Sequence, residues 1–144
     1  MATGLGATFA NDLVKLIFNA TAIANIADNA ASSPLTTVQL ALSTGTLSSA
    51  STQSTTEAAY TSYARASVAR TSGGWTVSTN VATLAATASF PAATGGSETE
   101  TYASIGTASS GTGKVLTFGA LSSNIVVTSG VTPSLTTGTT FTLT

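Results

Sequence analysis

The stretch Ser109-Ser110-Gly111-Thr112-Gly113-Lys114-Val115 comes nearest to chemistry in this chain, because it approaches a phosphate-binding loop. Such a loop reads G-x-x-x-x-G-K followed by Ser or Thr: backbone N–H groups cradle the phosphates, Lys reaches them and the hydroxyl holds Mg²⁺. Here Ala108 stands at the first Gly position and Val115 at the hydroxyl position, so the metal ligand is missing. A true phosphate loop also opens a helix, whereas Lys114 is followed by Val-Leu-Thr-Phe-Gly-Ala-Leu, which has no helical period. The stretch reads as a turn between two strands.

Glu98 and Glu100 lie two apart on a predicted strand, which places both carboxyl groups on one face. Paired carboxylates can hold a hard cation or do acid–base work, but Ca²⁺ takes about 6–8 oxygens and Gly-Gly-Ser-Glu-Thr-Glu-Thr supplies few others. The simpler expectation is a solvated face, or a pair awaiting Arg65 and Arg70. Those two arginines are an odd number of residues apart, so on one unbroken strand they face opposite sides. Tyr60, Tyr63 and Trp75 could stack on a sugar; the expectation preferred for them is core edge or interface anchor. Asn19-Ala20-Thr21 matches a glycosylation sequon but falls inside a predicted helix.

With neither Cys nor His, the chain excludes His- or Cys-based zinc sites, Ser-His-Asp triads and Cys-His dyads. Lys and Arg together number 4, too few for the basic patch that displaces counterions from nucleic acid. The expectation is a protein without enzymatic activity, cofactor, metal or nucleic-acid partner.

The elements that carry these residues follow from periodicity. Phe9, Leu13, Leu16, Ile17, Ala20, Ile23, Ala24 and Ala27 recur at three- and four-residue steps, predicting an amphipathic helix over 8–28 with Thr8 as cap and Asp28-Asn29 as stop. Past Ser32-Ser33-Pro34 the period changes to two: Val38, Leu40 and Leu42 alternate with Thr37, Gln39 and Ala41, a half-buried strand. Residues 45–57 read as a long Ser/Thr-rich loop. Residues 63–70 and the strand from Trp75, across Thr71-Ser72-Gly73-Gly74, read as a hairpin. Further short strands are predicted over 81–90, 98–105, 115–121, 125–128 and 139–143. The pattern predicts an all-β fold, an antiparallel β-sandwich of jelly-roll type over 36–144 with one N-terminal α-helix, in a single domain.

Charged residues make up only 6% of the chain and the formal net charge is −1, while 42% of residues are hydrophobic. So little charge gives weak protection against self-association and suits a protein packed against others. Phe9, Leu13, Leu16 and Ile17 of the helix, with Tyr60, Tyr63, Arg65, Arg70 and Trp75, are the expected interface residues of a homo-oligomer, a dimer or trimer. The apolar run over 13–27 contains Lys15 and is shorter than the roughly 20 residues of a membrane helix. The start, MATGLGATFAND, lacks the basic segment of a secretory signal. Synthesis in the cytoplasm, with no membrane partner, is expected.

The run from Tyr60 to Trp75, with Phe90-Pro-Ala-Ala-Thr-Gly-Gly-Ser97, Tyr102-Ala-Ser-Ile-Gly-Thr-Ala108, Gly113-Lys-Val-Leu116, Gly119-Ala-Leu121 and Ser129-Gly-Val-Thr-Pro-Ser134, resembles small virion proteins of tailed bacteriophages. These are commonly described as tail fibre or minor tail proteins, and they are also similar to the jelly-roll cement proteins that decorate phage heads. The resemblance implies a structural component of the virion and brings no catalytic residues. A capsid cement protein bound to the major capsid protein is the first expectation, a tail fibre or minor tail protein touching the host the second. A carbohydrate-binding module is the third.

Overall fold

The computed structural model describes residues 7–23 and 35–142. Among the described residues the chain is mostly β, with antiparallel sheets and one N-terminal helix, and it divides into two compact units.

The first unit holds the helix α1 (Ala7–Asn19), with β3 (Trp75–Ser78), β4 (Val81–Leu84) and β9 (Thr140–Thr142) in a three-stranded sheet of order β3-β4-β9. Ala10, Val14 and Phe18, spaced four apart, are the buried stripe of α1, which packs on β3 and β4. The predicted stripe was displaced: Leu13, Leu16 and Ile17 are half-buried flanks. Thr8 lies inside α1 rather than capping it, and α1 ends at Asn19, well before the predicted stop. Ala20, at φ 52°, turns the chain left-handed there. The remaining predicted helical residues beyond Ile23 lie outside the described residues. β3 and β4 form a true hairpin about Thr79-Asn80, with Thr79 at φ 54° as a tight primed turn requires.

The second unit holds a four-stranded sheet of order β2-β1-β6-β7, built from β1 (Thr37–Ser43), β2 (Ala66–Ala69), β6 (Ser97–Gly106) and β7 (Val115–Thr128). A two-stranded pair, β5 (Ala88–Ser89) with β8 (Ser134–Leu135), completes it. The alternation in β1 predicts one solvated face, yet Gln39, Ala41 and Ser43 are as buried as Val38, Leu40 and Leu42. β1 is an inner strand, and its polar face is satisfied internally: Gln39 accepts from Ser67 at 2.8 Å and donates to Thr37 at 3.1 Å. The hairpin expected across residues 71–74 does not form. The turn closes, with the Gly74 and Trp75 N–H groups donating to the Thr71 carbonyl, but β2 pairs in one sheet and β3 in another. The predicted strands at 115–121 and 125–128 are one continuous strand, β7, irregular between them.

Candidate functional site

The sequence-predicted site residues fall into separate groups. Arg65, Tyr63 and Glu57 form one. Arg65 makes a forked ion pair with Glu57, Nε to Oε1 at 2.6 Å and Nη2 to Oε2 at 2.7 Å, and its side chain is 2% exposed. Its remaining donors reach the carbonyls of Ala108 (2.8 Å) and Gly111 (2.7 Å). Tyr63 donates to Glu57 and accepts the Leu42 N–H, both at 3.1 Å. Hydrogen bonding to Glu57 holds Arg65 more firmly protonated than usual, and burial pushes the Tyr63 hydroxyl well above its ordinary range. These bonds latch Glu57 and the Ala108–Gly111 turn to Arg65.

The same latch answers what the 109–115 stretch does. A phosphate cradle turns N–H groups toward an anion, whereas here the carbonyls of Ala108 and Gly111 face a guanidinium. Gln53, which sequence reasoning missed, closes the other side: its side-chain Oε1 accepts the Ala108 N–H at 2.9 Å and its backbone N–H donates to the Gly113 carbonyl at 3.1 Å. A Cβ at Gly106 or Gly113 would overlap the Gln53 carboxamide, so these two glycines are where its close approach was written in the sequence. The 45–57 loop is thereby fastened at several points, including Thr44 N–H to the Thr56 carbonyl at 2.9 Å.

Glu98 and Glu100 share a face of β6 as predicted, but they meet neither arginine. Glu98 accepts the N–H groups of Ala59 (2.9 Å) and Tyr60 (2.8 Å), tying the chain before β2 to the sheet. Glu100 is fully buried and neither of its oxygens has a hydrogen-bond partner. Burial, then the adjacent Glu98, pushes its carboxyl up to about 8, so it is held neutral at physiological pH. Among the described residues no group of three or more acidic side chains is placed to hold a metal.

The aromatic residues divide between the units. Tyr60 is buried, donates to the Pro91 carbonyl at 2.9 Å and meets Tyr63 edge-on at 5.3 Å; Tyr63 stacks over Phe90 at 6.2 Å. In the first unit Trp75 is wholly buried between Phe18 (4.7 Å) and Phe141 (6.1 Å). Arg70 serves α1: its guanidinium donates to the carbonyls of Ile17 (2.5 Å), Leu16 (2.6 Å) and Leu35 (2.7 Å). Two of these carbonyls belong to the last turn of α1, where helical partners run out and the dipole favours a cation. Phe9 sits in the first turn of α1, its side chain outside the described set.

Arg65, Glu98 and Arg70, named from sequence, hold a turn, a loop and a helix end respectively. Among the described residues no helix is long and apolar enough to cross a membrane. No curated protein matches the chain. The model of one protein family, described as podophage GP4 fiber I protein gp80, matches residues 6–142, and the chain belongs to that phage virion fibre family.

Proposed function

We propose that this chain is a non-enzymatic building block of a tail fibre in a tailed phage, synthesised in the host cytoplasm and held in the virion by contacts with other virion proteins. The observation that carries this reading is the family match over residues 6–142, whose description names a fibre. The chemistry is consistent with it: Arg65, Arg70, Glu98 and Glu100 are engaged or buried within the fold, and the exposed positions are mostly Ser, Thr, Ala and Gly. Such a surface can be buried against a neighbour with little desolvation cost. The capsid cement role, first among the sequence expectations, has the weaker support because the family description names a fibre instead. Immunogold labelling of intact particles with an antibody to this chain tests the choice. Gold confined to tail appendages supports the fibre reading; gold spread over every head replaces it with the cement role.

A further inference from the structure

β7 closes one end of the four-stranded sheet, so its outer edge carries backbone donors and acceptors with no strand beside them among the described residues. Sheet edges of this kind are normally guarded by charge, proline or shortness. The opposite edge is guarded by shortness, since β2 has only 4 residues. β7 has 14 residues, no charged residue and no proline, and it exposes Leu116 and Val126, the latter 62% accessible.

The pairing of β7 with β6 has two regular stretches, residues 117–120 and 125–128, each 4 residues long and separated by the irregularity opposite Thr101. Two such stretches of equal length, either side of Ser122-Ser123, are complementary to themselves when one strand is turned antiparallel to another. Thr117 then faces Thr128, Phe118 faces Val127, Gly119 faces Val126 and Ala120 faces Ile125 of the second copy. The pairing matches faces as well: Phe118, Ala120, Ile125 and Val127 stand opposite Ser104, Tyr102, Glu100 and Glu98 of β6, one side of the sheet. On the other side the exposed Val126 would sit against Gly119, whose Cβ position has nothing within 4 Å.

We infer that a second copy of this chain adds its β7 to the free edge of β7, antiparallel, about a dyad between Ser122 and Ser123. A second copy is the occupant because the edge is self-complementary in length, face and side-chain size, and because the absence of charge along it removes like-charge repulsion between copies. The inference deepens the fibre-assembly reading and rests on it only for its setting in the particle.

The test uses the purified full chain, which has no native Cys. By sedimentation the wild type is expected at about twice the 14.1 kDa chain mass, and Gly119→Lys/Val126→Lys, which sets lysines opposite each other, at the single-chain mass with a native circular dichroism spectrum. Gly119→Cys/Val126→Cys, too far apart along one strand to join internally, is expected to give a disulfide-linked dimer on mild oxidation. A wild type of one-chain or three-chain mass, a dimer that the lysine variant leaves intact while folded, or a folded cysteine variant that forms no linked dimer overturns the pairing. Gold on heads alongside a crosslinked dimer would instead remove the fibre reading and leave the pairing standing.

Discussion

A carboxyl group with no exposed surface and no hydrogen-bond partner, as at Glu100, is tolerated in a folded chain only while it keeps its proton. Its folded value, pushed up to about 8 from an ordinary 4.5, means the folded chain holds a proton that the unfolded chain gives up. The sign follows: this group's contribution is most favourable below the unfolded value and is lost as pH rises through the window from 4.5 to about 8. The slope is at most about 1.4 kcal/mol per pH unit for one proton. Glu100→Gln, neutral at every pH and of the same shape, is expected to raise the urea midpoint at pH 8 and to flatten that slope. Equal slopes for wild type and variant would show that Glu100 is not the buried acid. Strand parity in the sequence was enough to put Glu98 and Glu100 on one face. It could not show that Glu98 is engaged, because the N–H groups it accepts, those of Ala59 and Tyr60, come from some forty residues earlier in the chain. Arg65 was unreadable for the same reason: its carboxylate partner is Glu57, in a stretch with no periodicity to place it.

At the scale of elements, α1 is a helix of 13 residues with no acidic residue in its first turn and no basic one in its last, so its own sequence supplies little end stabilisation. Arg70 supplies the missing cation from elsewhere in the chain, bonding the Leu16 and Ile17 carbonyls while burial lowers its pKa only from a very high starting value. Arg70→Ala is expected to cost about 1–2 kcal/mol. Hydrogen exchange should localise the loss: amides of α1 exchange faster, while those of β6 and β7, in the other unit, keep their protection. Uniformly faster exchange would mean that Arg70 supports the whole fold and not this helix end. Most strands were visible as alternation between turn residues, since that pattern is local. Pairing was not. The Thr71–Gly74 turn looks like a hairpin turn from its residues alone, and only the burial of Trp75 against Phe18 and Phe141 sends the following strand into a different sheet. The offset of the α1 stripe has a similar cause: with apolar residues at 13, 14, 16, 17 and 18, the sequence offers overlapping faces, and packing on β3 and β4 selects Ala10, Val14 and Phe18.

For the whole molecule, the scarcity of charge decides how it responds to its surroundings. Only 4 basic and 5 acidic residues are present, and the net charge is −1. Of these, Arg65 and Glu57 neutralise each other with little solvent between them, and Glu100 is neutral at physiological pH. Salt weakens interactions between exposed charges, with a screening length of about 10 Å at 0.1 M, and acts far less on buried pairs. The Arg65–Glu57 pair is buried, and the β7 edge proposed above as the self-association surface carries no charge, so salt has little to screen at either place. Raising NaCl from about 0.05 M to about 0.5 M is expected to leave the thermal midpoint nearly unchanged and to shift the self-association constant less than about twofold. Self-association measured by sedimentation across that series checks it. A steep fall with salt would show that copies meet through the few lysines, arginines and acids left at the surface, and the uncharged edge of β7 would then not be where they join.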